Sequence, residues 1–216
     1  MSKFRTLIRW TGFWIFWILL TVGGLVVDKV LFRGSGVTPR VISGLEYLLG
    51  SGATGQKLIE VFAAAILGII DGIILGAFQW PALRNRLDKA YLWIPATALG
   101  TGLSLTIFWA ILAFGEVDQY ASEDLTDLVF ELGIIDSFIG GVILGLAQWL
   151  VLRPRVLAAG LWVLTSMVAM VSGWLVRWFV SPALAMFVIG AVSGLGMTIL
   201  LAASELPQES ENSISS

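Results

Sequence analysis

The chain has 216 residues, 57% of them hydrophobic and only 13% charged, with a mean hydropathy of +0.90 and a net charge of −2. Soluble domains carry about a quarter charged residues, so this composition excludes an ordinary water-soluble fold. There is no Cys and no His, which removes disulfides, thiolate zinc and iron–sulfur sites, His-ligated haem and imidazole acid–base chemistry. Balanced charge without a basic stripe argues against a nucleic-acid partner.

Six apolar stretches follow along the chain, at about 7–27, 60–80, 91–114, 132–152, 157–179 and 182–203. Each has the roughly 20-residue length that crosses about 30 Å of hydrocarbon at 1.5 Å per residue. With no water to satisfy backbone groups inside a bilayer, such segments must be helices. The expected fold is therefore all-α, a polytopic membrane helical bundle forming one domain over 1–204, with a polar, disordered cytoplasmic tail at 205–216.

The first span is preceded by Lys3, Arg5 and Arg9. It reads as an uncleaved anchor, because the apolar run is long, no small-residue cleavage site follows it and five more spans do. Segment 28–60 is too long for a simple link. Thr38-Pro39 is a helix-start pair, and Val41, Ile42, Leu45, Leu48 and Leu49 recur at helical spacing before a GSGATG breaker at 50–55. A short amphipathic helix over 38–49 is expected, on the outer surface or tucked against the bundle. The stretch 121–131 reads as an acidic version of the same thing.

The short connections after the second and fourth spans carry Arg84, Arg86 and Lys89, and Arg153 and Arg155. The connection 115–131 carries Glu116, Asp118, Glu123, Asp124, Asp127 and Glu131 with no Lys or Arg. Positive charge stays inside, so both termini are expected in the cytoplasm, although four basic residues in 28–60 run against the rule.

Residues 72–93, GIILGAFQWPALRNRLDKAYLW, and 141–162, GVILGLAQWLVLRPRVLAAGLW, share 12 of 22 positions at an offset of 69. Such self-similarity marks an internal repeat. Two spans per copy make successive copies parallel, related by an axis along the membrane normal. A third, degenerate copy is expected in the last span, where Gly190 and Gly194 match the Gly72/Gly76 spacing and Met197 stands in place of Gln. The first span would supply its other half, giving three hairpins about a pseudo-threefold axis.

Gly68, Gly72 and Gly76, Gly141 and Gly145, and Gly190 and Gly194 stack on helix faces at four-residue spacing. Small residues at this spacing let helices approach closely, within the bundle or against another subunit. Gln79 and Gln148 adjoin those faces and can bond a neighbouring helix. Trp80, Trp93, Trp149 and Trp162 are expected in an interfacial belt, with Arg84, Arg86, Arg153 and Arg155 on helix C-termini and anionic headgroups. Asp71 falls mid-span on the stripe Asp71–Leu75–Gln79, a costly place for a carboxylate and therefore a candidate for proton or ion handling as well as for a neutral packed role. Asp136 recurs in the same pentapeptide, LGIID, one turn nearer the outer surface, where Arg177 is expected as an ion-pair partner.

The corner G-x-x-x-G-x-x-Q-W-x-x-L-R, followed by A-x-x-W at 90–93 and 159–162, resembles a group of bacterial multi-pass membrane proteins plentiful in cyanobacteria. The resemblance spans about 68–178 and implies a bacterial inner membrane, with a thylakoid as the alternative; it brings no activity. No phosphate-binding loop, metal motif or activated nucleophile is present, so neither an enzyme nor a cofactor is expected. The leading expectation is a non-catalytic scaffold, assembly or accessory subunit, in contact with lipid and with other membrane subunits or a second copy. The alternative is a small transporter or channel using Asp71 with Gln79 and Gln148. Dry packing around Asp71 would favour the first, a cavity the second.

Overall fold

The computed structural model describes residues 3–30, 37–49, 52–115, 125–156 and 158–204. These form seven α-helices: α1 (Lys3–Asp28), α2 (Val37–Leu49), α3 (Ala53–Leu83), α4 (Trp93–Phe114), α5 (Leu125–Leu152), α6 (Leu161–Phe179) and α7 (Pro182–Ser204), with a 3₁₀ turn at Ala90–Leu92. All but α2 contain a stretch long and apolar enough to cross a membrane. The described residues are all-α, as the composition requires.

Three boundaries differ from expectation, the simplest being the fifth span, which begins as α6 at Leu161 rather than at 157. α3 begins at Ala53 rather than near 60, because Gly52 is the extended residue before the helix and accepts the Gln56 N–H at 2.8 Å. GSGATG thus ends inside a helix of 31 residues, about 46 Å long, which outruns the hydrocarbon layer. The acidic stretch 121–131 is not a separate helix over its described part, since 125–131 are the opening turns of α5. Residues 116–124 and the tail 205–216 lie outside the described residues. The expected amphipathic helix at 38–49 is present as α2, packed on α3.

The six long helices close a ring in the order α1, α3, α4, α5, α6, α7 and back to α1. α3–α4 and α5–α6 are hairpins whose corners repeat bond for bond at the offset of 69. Arg84 N–H reaches Trp80 O at 2.9 Å where Arg153 N–H reaches Trp149 O at 2.8 Å, and the N–H groups of Arg86 and Arg155 reach Leu83 O and Leu152 O, both at 2.9 Å. α7 runs antiparallel to α1, with Gly190 beside Ile18 and Thr21 and Gly194 beside Trp14 and Trp17.

The glycine faces are consumed inside this ring. A Cβ at Gly72 would sit 2.5 Å from Ala98 Cα, and one at Gly141 2.5 Å from Met167 Cα, closer than any side chain tolerates. Gly68 meets Gly102, while Gly76 and Gly145 meet Ile94 and Val163. The exterior is apolar, with Leu19, Phe62, Leu99, Leu103, Leu150, Phe187 and Ile199 all exposed. In a soluble protein so much apolar surface would be untenable.

Candidate functional site

Gln79 and Gln148 are buried near the corner ends of α3 and α5, and each joins three helices. Trp93 Nε1 donates to Gln79 Oε1 at 2.9 Å, and Gln79 Nε2 donates to Thr21 Oγ1 of α1 at 3.2 Å. Sixty-nine residues on, Trp162 Nε1 donates to Gln148 Oε1 at 2.8 Å, and Gln148 Nε2 donates to Thr97 Oγ1 of α4 at 2.9 Å. Thr97 in turn donates to Trp93 O at 2.8 Å. Each amide thus ties its own hairpin and clamps it to the preceding one. In a low-dielectric interior such interhelical hydrogen bonds fix register strongly.

This corrects one expectation. Trp93 and Trp162 are not belt residues: they are 0% and 2% exposed, because each indole N–H turns inward to an amide oxygen that would otherwise be left unpaired. With Trp17, also 0% exposed, they form a triad of rings with centroids 5.6 to 6.1 Å apart. Trp80 and Trp149 do remain half-exposed at the corner, under the guanidinium groups of Arg84 and Arg153 at 5.7 and 5.3 Å. Arg86 lies over Trp10 and Phe13 at 4.6 and 4.5 Å, and Arg155 donates to Val151 O at 2.9 Å, a cation on a helix C-terminus.

The third seam, α7 on α1, is built differently. A Cβ at Gly190 would sit 3.4 Å from Ile18 Cα and 3.5 Å from Thr21 Cβ. Gly76 lies in the same way on Ile94 and Thr97, and Gly145 on Val163 and Ser166. Gly190 therefore occupies the place of Gly76, not of Gly72, and the position three residues on, held by Gln79 and Gln148, is Ser193 rather than Met197. Trp17 Nε1 donates to Ser193 Oγ at 3.1 Å, as the other two indoles donate to glutamines. Ser193 donates back to Ile189 O of its own helix at 2.7 Å and makes no bond to α6. Met197 packs below, in the apolar cluster around the tryptophans.

Above the Trp triad the bundle holds a cavity of about 340 Å³. Its polar lining includes Thr21, Gln79, Gln148, Ser166 and Ser193 at the level of the amide ring, and its apolar walls include Leu25, Leu75, Leu105, Leu144, Met170 and Ile189. Three carboxylates line it, Asp28, Asp71 and Asp136, against one cation, Arg177. By helical rise Asp28 and Asp71 stand roughly 10 to 12 Å from the ring toward the acidic end, and Asp136 and Arg177 roughly 16 to 18 Å. A contiguous pocket of about 210 Å³ shares Asp28, Asp136 and Arg177 and reaches Lys29 and Pro182, where α1 ends and α7 begins. The expected ion pair is not formed: the Arg177 guanidinium instead lies 5.4 Å over the Trp174 ring.

Among the described residues, four buried side-chain polar atoms have no hydrogen-bond partner: Asp28 Oδ1, Thr101 Oγ1, Ser166 Oγ and Trp174 Nε1. The first three line the cavity and the fourth lines its continuation. Such an atom costs about 1–3 kcal/mol when nothing satisfies it, so this concentration marks the cavity as a place for polar guests.

Sequence reasoning had selected Asp71, Gln79, Gln148, Asp136 and Arg177, and all five line this one cavity. It missed Asp28, Thr21, Ser166 and Ser193. The available signal was a Trp followed four residues later by Thr or Ser, at 17–21, 93–97 and 162–166, which extends just past the repeated window. Compared with family models, with curated proteins and with solved structures, the chain has no match in any of the three.

Proposed function

We propose that the protein is a small membrane transporter or channel for a cation of the alkylammonium type, bound in the central cavity. The observation that carries this is the lining: three carboxylates against one guanidinium, set among leucines, in a volume suited to a small ligand. The carboxylates attract a cation. The apolar walls suit an organic cation with a short hydrocarbon body better than a metal ion, which on losing its water would demand protein oxygens on all sides. An intramembrane carboxylate facing a bundle interior is in any case a functional group by default.

The proposed setting is a bacterial inner membrane with both termini in the cytoplasm, which turns the acidic end of the cavity outward. The test uses proteoliposomes and n-butylammonium as probe, comparing uptake and calorimetric binding for the wild type with Asp71→Asn and Asp28→Asn. Either substitution is expected to weaken binding at least about tenfold, the worth of one charge-assisted hydrogen bond. Wild-type protein that neither binds nor moves the probe would sink the reading.

A role as an accessory subunit is the second reading. Its support is α2, which packs on α3 yet leaves Tyr47 and Leu48 90% and 74% exposed. Purification in mild detergent followed by mass spectrometry tests it, and a lone monomer under every condition counts against it.

A further inference from the structure

The amide ring is symmetric in two seams and open in the third. At α3–α1 and at α5–α4 a glutamine reaches from its helix to a hydroxyl on the neighbouring hairpin. At α7–α6 the glutamine position is Ser193, whose side chain is too short to cross, and the hydroxyl it would meet, Ser166, is left unpartnered. Ser166 is 5% exposed and lines the cavity, as does Ser193. One-third of the ring thus lacks its amide, and there the cavity is lined by Trp162, Ser166 and Ser193, all neutral.

We infer that the gap between Ser166 and Ser193 is the deep subsite of the cavity and takes the neutral hydrogen-bonding end of an elongated ligand, so that the protein selects an ω-hydroxyalkylammonium ion over a plain alkylammonium. This rests on the reading of the cavity as a cation site. Asp28 and Asp71 stand roughly 10 to 12 Å along the axis from the gap. After a hydrogen bond of about 2.8 Å at each end, that leaves about four to six ångströms for the ligand, a chain of three or four carbons. The ammonium belongs at the carboxylates and the hydroxyl at Ser166 Oγ, which can both donate and accept. A second positive charge does not belong there, since the ring offers no anion to balance it.

Ser193 is therefore a specificity-determining position. A glutamine in its place has the length to accept from Trp17 and donate to Ser166, as Gln79 and Gln148 do for their partners, and would fill the subsite with the protein's own amide. The test is titration calorimetry in nanodiscs with three probes, n-butylamine, 4-amino-1-butanol and 1,4-diaminobutane, on wild type, Ser193→Gln and Ser166→Ala. Wild type is expected to bind the amino alcohol about tenfold more tightly than butylamine, the worth of one well-made hydrogen bond, and the diamine no better than butylamine. Ser193→Gln is expected to abolish the preference, with thermal stability at or above wild type. Ser166→Ala, which removes one buried hydroxyl and needs no repacking, is expected to abolish the preference too, so the result does not depend on the larger substitution folding. Equal wild-type affinity for butylamine and amino alcohol would overturn the subsite while leaving the cation site standing, as would a preference for the diamine. Failure of every amine to bind would overturn both.

Discussion

A buried amide in this bundle is held to its register by indole and hydroxyl partners at once, and this makes Gln148 a sensitive position. Gln148→Met keeps length and volume but leaves Trp162 Nε1 without an acceptor. The expected cost is about 1–3 kcal/mol of unfolding free energy, read by titration with a denaturing detergent. In a double-mutant cycle with Trp162→Phe, the coupling is expected at roughly 0.6–1.7 kcal/mol, the range for interhelical bonds in lipid, and additive losses would show that the bond contributes nothing. The role of Gln148 was legible in sequence, because a lone amide in an apolar helix must bond across. The partner was not. A tryptophan at the start of a span fits a headgroup belt as readily as an inward bond, and only the position of the amide on the facing helix decides between them.

Between helices, the same logic explains why the third hairpin was read one turn out of place. Glycines four residues apart form a pattern that maps onto itself when shifted by four, so Gly190 and Gly194 can be laid on Gly72 and Gly76 or one turn along from them. The contacts of Gly190 with Ile18 and Thr21 remove the degeneracy. They also grade the cost of filling each site. Gly72→Ala places a methyl 2.5 Å from the Ala98 backbone, whereas Gly190→Ala places one at 3.4 Å from Ile18, an ordinary contact. The first is expected to lose about 1–3 kcal/mol by overpacking, and the second to stay within about 0.5 kcal/mol of wild type. Thermal unfolding of the two purified variants checks this; equal changes would mean that the closer approach at Gly72 does not set the cost of the added methyl. The helices and their order were readable from apolar length alone, while the α3 start was not, since glycines at 52 and 55 read alike and only the first lies outside the helix.

For the whole molecule, the cavity is blind at one end. Three mutually packed indoles, each hydrogen-bonded to a different helix, seal it toward the arginine-rich corners, while its lining continues past Asp136 and Arg177 to the ends of α1 and α7. A polar reagent should therefore reach the interior from the acidic side alone. The chain has no cysteine, so single substitutions give an unambiguous readout. Thr101→Cys, on the cavity wall, is expected to react with a membrane-impermeant cationic thiol reagent added at the acidic side, and to be protected when n-butylammonium is present. Leu99→Cys, 65% exposed on the outer surface of α4, faces lipid and is expected to react from neither side. Labelling of Thr101→Cys at equal rates from both sides would mean that the tryptophan seal opens on the timescale of the experiment. Repeating the reaction with Trp17→Phe separates the causes. Trp17 alone in the triad rests on a short serine rather than a glutamine, so loss of its bond to Ser193 should loosen the seal first, and access from the corner side should rise in that variant before it does in Trp93→Phe.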